Sequence, residues 1–217
     1  MTGSPQRVDD VMTRAVVAVG RDAPFKDIVD LMDRWNVSAL PVLEGEGRVV
    51  GVVSEADLLP KEAVRERDPD RYAQAHRLSE AAKADAVSAG ELMSSPAITV
   101  HPDSSLAQAA RIMAQRRIKR LPVVNDEGML EGVVSRADLL KVFLRPDDDI
   151  ADEVRRDVVD VLFPAPVEPI HVMVTEGVVT LTGTVRDTLL IPVAVRLAHA
   201  VEGVVDVDCH LSGTDRE

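Results

Sequence analysis

Gly132-Val133-Val134-Ser135-Arg136-Ala137-Asp138-Leu139-Leu140 occurs twice in this chain. The other copy is Gly51-Val52-Val53-Ser54-Glu55-Ala56-Asp57-Leu58-Leu59, and the two differ only at Arg136/Glu55. The offset is 81 residues (138 − 57), and it also pairs Met12 with Met93, Met32 with Met113, Pro41 with Pro122 and Gly47 with Gly128. No insertion breaks the register between Met12 and Leu59. The first two thirds of the chain therefore reads as one structural unit used twice.

Gly-Val-Val is a short β-branched run, suited to a buried strand. Ser135 and then Asp138, three residues on and just before Leu-Leu, mark a strand entering a helix. Free backbone N–H groups and the positive end of the helix dipole gather there and favour an anion. A Ser hydroxyl can meet a phosphate oxygen, and an Asp carboxylate can accept hydrogen bonds from two ribose hydroxyls. The same Ser-x-x-Asp spacing is also a variant of the capping box. Repeated helices need repeated caps, so the duplication leaves both readings open.

Each copy shares a longer plan. An opening Met leads to a predicted strand, Val16–Val19 or Ala97–Val100. A helix follows, then Leu-Pro-Val at residues 40–42 or 121–123, then a turn with Gly47 or Gly128 before the nonapeptide. In this order of motifs, residues 8–60 and 89–145 resemble the CBS domain, arranged as a tandem pair with a pseudo-two-fold axis. Such pairs bind adenosine-containing ligands in clefts between the repeats. The resemblance places Ser54, Asp57, Ser135 and Asp138 at ribose and phosphate positions. It assigns the adenine slot to the opening strand of the opposite repeat: Ala15, Val16 and Val17 against Asp138, and Pro96, Ala97 and Ile98 against Asp57. It also implies that Lys119 and Arg120, directly before Leu121-Pro122, reach the phosphates, a role the guanidinium fork suits. The first repeat has Ser38 and Ala39 there, so the two clefts are expected to be unequal. A homodimer formed through the pair is a further implication.

Composition bounds the remainder. A hydrophobic content of 46% with only 2% aromatics predicts cores of Val, Leu, Ile, Ala and Met. A formal charge of −12 argues against a generic nucleic-acid binder and against adsorption to anionic lipid. The one cysteine, Cys209, forms no intrachain disulfide and suits a reducing cytoplasm. The sequence has neither a membrane-length apolar run nor a signal-peptide core.

Residues 1–7 read as a disordered lead. Phe25, Ile28, Met32 and Trp35 recur at helical spacing, which predicts one apolar face with Trp35 in core or interface packing rather than on a ligand. The matching helix of the second repeat places Leu106, Ala109, Ala110 and Met113 inward. From Arg111 to Arg120 there are five basic residues and no acid. This run is either a surface paired with acidic neighbours or a source of phosphate ligands. Residues 61–88 read as a charged helical linker, with His76 on its surface. His101, His171, His199 and His210 are scattered, and no spacing suggests a metal.

After Leu144 the pattern changes. Arg145-Pro146-Asp147-Asp148-Asp149 is a polar break. Ile150, Val154, Val158, Val161 and Leu162 mark an amphipathic helix that ends at Phe163–Pro166. His171–Val174 is a strand. Val179, Leu181, Gly183 and Val185 alternate with threonines in a second. Leu190, Val193, Leu197 and Val201 mark a helix stopped by Gly203, and Val205–Leu211 alternates as a last strand with Cys209 as buried filling. The Gly177–Val185 strand and the closing Gly-Val-Val-Asp-Val resemble a BON domain over 149–212, an αββαβ module, with 213–217 as a tail. Pro192 departs from the pattern and shifts the expected helix start. BON modules are associated with membrane attachment, a role that the acidic character of this one suits poorly.

No nucleophile elbow, phosphate-binding glycine loop or metal site is present in the sequence. The α/β (α+β) chain is thus expected to be a non-enzymatic regulator binding AMP, ADP or ATP. S-adenosylmethionine and a cyclic dinucleotide are further adenosyl ligands in view. Binding would change how the BON module is presented to an unknown protein partner. The alternative is a ligand-independent dimeric scaffold whose BON module docks on protein or membrane.

Overall fold

The computed structural model describes residues 6–63, 86–166 and 168–214. Most of the expected linker, His76 included, lies outside the described residues, as does most of the expected lead. The chain divides into two compact units, one of residues 7–138 and one of residues 139–214 with Gln6.

The two repeats carry matching elements, except that a single bridge replaces the first strand in repeat 2 and its last helix runs past residue 138. Repeat 1 has α1 (Val8–Val11), β1 (Val19–Gly20), α2 (Phe25–Arg34), β2 (Ala39–Glu44), β3 (Arg48–Ser54) and α3 (Glu55–Ala63). Repeat 2 has α4 (Ala89–Leu92), α5 (Leu106–Arg116), β4 (Arg120–Val124), β5 (Leu130–Ser135) and α6 (Arg136–Leu140). β2 pairs antiparallel with β3, as β4 does with β5. β1 lies parallel to β2 through Val19 and Val42, and the same contact 81 residues on is the bridge Val100–Val123. The opening strands are therefore shorter than predicted. Residues 16–18 and 97–99 are irregular, because only the last residues of each segment reach a strand partner.

The two repeats exchange their opening segments. Thr13 bridges to Val133 in β5, and Ser94 bridges to Val52 in β3. The short helices cross as well. Val8 donates to the Ser104 carbonyl and Asp9 to that of Pro102, while Ala89 donates to Ala23 and Gly90 to Arg21. Ala89 and Leu92 thus complete the core of repeat 1 around Ile28, Met32, Leu40, Val42 and Val53. α4 is fixed by a capping box in which the Glu91 carboxylate accepts from the Val87 and Ser88 N–H groups at 2.8 and 3.1 Å. Those bonds, Val87's first, hold the Glu91 carboxyl below the usual carboxylate range.

The leading glycine of the nonapeptide makes this crossing possible. A Cβ on Gly132 would stand 2.6 Å from Met12 Sδ, and one on Gly51 would stand 2.8 Å from Met93 Cγ and 3.0 Å from Met93 Cβ. The opening Met of each repeat occupies the space that any side chain at the other repeat's glycine would need.

Two inward assignments change. α2 buries Ile28 and Met32 but ends at Arg34, so Trp35 leaves the stripe and is 58% exposed. α5 buries Leu106, Ala109 and Met113, while Ala110 faces solvent. Among the described residues none of Arg111, Arg116, Arg117, Lys119 and Arg120 forms an ion pair.

The second unit has the order αββαβ. α7 (Asp147–Val154) continues through a π turn at Arg155–Val159 into α8 (Asp160–Leu162), followed by β6 (His171–Thr175) and β7 (Val178–Val185). A 3₁₀ turn (Thr188–Leu190) leads to α9 (Ile191–His199), and β8 (Asp206–Gly213) lies parallel to β7. Glu176 and Gly177, both at positive φ, form the two-residue hairpin between β6 and β7. The Asp147 carboxylate accepts both their N–H groups at 2.9 Å.

Ile150, Val154, Val158, Val179, Leu181 and Val185 form this unit's core. The π turn rotates Val161 outward, to 65% exposure. On α9 the residues against the sheet are Ala194 and Ala198, while Val193 and Leu197 are largely exposed and Leu190 and Val201 flank the contact. Pro192 is accommodated in the first turn of α9. Cys209 is half-buried at the edge of the core.

Gly51→Ala is expected to lower stability by about 1–3 kcal/mol through overpacking against Met93. Gly20→Ala, with nothing within 4 Å, should change it by less than about 0.5 kcal/mol. Urea unfolding of the two variants checks the difference.

Candidate functional site

The crossing brings Ala15, Val16 and Val17 of repeat 1 beside Ser135 and Asp138 of repeat 2. These five residues line a cavity of about 380 Å³ together with Thr13, Trp35, Val37, Ala39, Pro41, Arg120 and Val133. The volume lies in the range of small-molecule sites, and an apolar lining with a few polar groups is the usual composition of one. Register explains the polar group. Arg120 stands directly opposite Ser135 in the β4–β5 pair, so the two side chains share a face.

Lys119 precedes the strand. Its carbonyl receives the Arg136 N–H, and its exposed side chain does not line the cavity. Lys119 lies in a bend, whereas Arg120 opens β4 opposite Ser135, and Arg120 is the one of the two that lines this cavity.

Ser135 and Asp138 also form the cap. Asp138 Oδ2 accepts from the Ser135 N–H at 2.9 Å and from Ser135 Oγ at 2.6 Å. Repeat 1 repeats the arrangement, with Asp57 Oδ2 accepting from the Ser54 N–H at 2.8 Å and from Ser54 Oγ at 2.7 Å. In repeat 2 the Asp138 N–H returns a bond to Ser135 Oγ at 3.3 Å, as a capping box requires. The Ser–Asp pairing itself is present in both copies. It orients each carboxylate without excluding a further acceptor role, since a carboxylate offers about four lone-pair sites.

The two copies differ in surroundings. Asp57 is buried at 9% exposure, whereas Asp138 is half-buried. Pro96 and Ala97 line a different cavity, with Arg21, Val49 and Val50, whose lining contains neither Ser54 nor Asp57. Ile98 is 37% exposed and lines neither of these two cavities. The juxtaposition expected for the first repeat's carboxylate is thus not reproduced in that cavity.

Trp35, Val37, Ala39 and Pro41 were not among the predicted lining residues. The 81-residue offset maps Ala39 onto Arg120 and Pro41 onto Pro122, and so assigns them to the first repeat's own cleft; it gives no signal for this cavity. Among the described residues no group of His, Cys, Asp and Glu is arranged to hold a metal ion, and no helix is long and apolar enough to cross a membrane.

Residues 8–62 and 89–145 match the CBS domain, and residues 146–214 match the BON domain. The uncharacterized protein MJ1426 of Methanocaldococcus jannaschii is 27% identical over 66% of this chain and 95% of its own length. The CBS domain-containing protein YhcV of Bacillus subtilis is 30% identical over 61% of this chain and 81% of its own. The crystal structure of CBSX2 in complex with AMP superposes with a TM-score of 0.56 at 27% identity, over 64% of this chain and 96% of that one.

As a cap, Asp138 is expected to contribute about 1 kcal/mol. Asp138→Ala should lose that much in urea unfolding, and Lys119→Ala less than about 0.5 kcal/mol.

Proposed function

The chain belongs to the CBS-domain family, as a tandem CBS pair followed by a BON domain, and we propose that it is a non-enzymatic regulatory protein whose pair binds an adenine nucleotide. The observation that carries this reading is the cavity in which Ala15–Val17, Arg120, Ser135 and Asp138 meet. The AMP complex of CBSX2, a protein 27% identical to this one, supports the ligand class.

In the proposed mode the small apolar residues 15–17 form the adenine slot. Asp138, held in place by Ser135, accepts the ribose hydroxyls. Arg120 meets the phosphate with its fork of donors. Ser54 and Asp57, with Pro96, Ala97 and Ile98, are the proposed second site; it is the weaker because Ala39 stands where Arg120 does and because Pro96 and Ala97 line a cavity that lacks Ser54 and Asp57. Lys119 contributes long-range attraction only. Occupancy changes how the BON domain is presented to a protein partner, which requires different affinities for two states of the chain. The active form is a homodimer through the pair, in the cytoplasm.

A second reading is favoured by one observation, the Ser–Asp pairing that holds the carboxylate at the helix start in both repeats. In it these residues are caps only, and the chain is a ligand-independent dimeric scaffold whose BON domain docks on protein or membrane.

Calorimetric titration of the whole chain with AMP, ADP and ATP separates the two. The regulatory reading expects saturable binding, lost in a folded Asp138→Ala variant. It also expects a roughly ten- to hundredfold loss in Arg120→Ala, the worth of a charged hydrogen bond at about 1.5–3 kcal/mol. No heat with any of the three, or binding unchanged in both variants, overturns it. S-adenosylmethionine and a cyclic dinucleotide are then titrated before the scaffold is adopted.

A further inference from the structure

Trp35 is the only tryptophan in a chain with 2% aromatic residues, and it is 58% exposed. A large apolar ring left in solvent forgoes the burial such rings usually find. Its backbone explains how it came free. Trp35 caps the C-terminus of α2, and Asn36 follows in the left-handed region at φ 50°, so the chain turns away just beyond the Ile28/Met32 stripe. The ring instead lines the cavity that holds Ala15–Val17, Arg120 and Asp138. Val37 and Pro41, which line the same cavity, have apolar side chains that offer no hydrogen bond to a base.

We propose that Trp35 is a base-stacking wall of this cavity, closing on the face of the purine. The inference rests on the nucleotide reading above and adds to it a residue that sets affinity for the base. Stacking on an indole suits this site because it needs only a π-face and leaves the polar groups free for sugar and phosphate. The wall belongs to one cavity only. The residue 81 positions on (35 + 81) is Arg116, an exposed cation outside this lining. The two halves of the pair therefore differ in an aromatic as well as in Arg120.

The test follows Trp emission of the full chain during AMP titration, in parallel with calorimetry. A stacked ring changes its emission saturably, with the calorimetric midpoint. Trp35→Ala loses roughly ten- to hundredfold in AMP affinity, the range found for base–aromatic stacking. Trp35→Phe recovers most of that loss, and Arg116→Ala binds AMP as the parent does. Calorimetric binding with flat emission, or equal AMP affinity in the parent and Trp35→Ala, overturns the stacking wall while the nucleotide site stands. Emission that follows protein dilution and ignores AMP overturns it in favour of a self-association surface. Absence of calorimetric binding with AMP, ADP and ATP overturns the nucleotide reading itself, and the wall with it.

Discussion

The contact between an opening methionine and the other repeat's glycine governs the first unit. Met12 lies on Gly132 and Met93 on Gly51, at distances that leave no room for a Cβ. Because each opening segment is accepted by the other repeat, neither repeat closes its own core. Leu92 and Ala89 fill repeat 1, and the backbone of Val8 and Asp9 is tied to repeat 2. The pair is thus a single cooperative body rather than two beads, and a repeat alone would expose an unfilled core.

The same exchange makes the cavity. Ala15–Val17 are far from Asp138 in sequence and reach it only because Thr13 is bridged to Val133. The residues after the bridge are irregular and small, so they wall the cavity without filling it. Arg120 is supplied by strand register, and the carboxylate is aimed by its own cap. Structure and proposed chemistry are therefore not alternatives at Asp138. The hydrogen bonds that start the helix also pre-orient an acceptor, which lowers the ordering cost of binding.

Much of this could be read in the sequence. The 81-residue offset reveals the duplication, and the CBS resemblance groups residues 15–17, Arg120, Ser135 and Asp138. The misreadings have local causes. Periodicity carried Trp35 onto the α2 stripe because spacing alone does not show where a helix stops. Lys119 and Arg120 looked equivalent because only the Arg120–Ser135 pairing decides which one faces the cavity. Val161 was drawn inward because a π turn adds a residue that a regular helical count omits. On α9 large residues were favoured, whereas close packing on a sheet selected Ala194 and Ala198.

The most direct measurement is a crystal structure of the full chain grown with AMP. The account predicts the nucleotide in the Trp35–Asp138 cavity, with ribose hydroxyls on the Asp138 carboxylate and the phosphate at Arg120. AMP ordered at another surface, or the Asp138 cavity filled by side chains at saturating AMP, would contradict it.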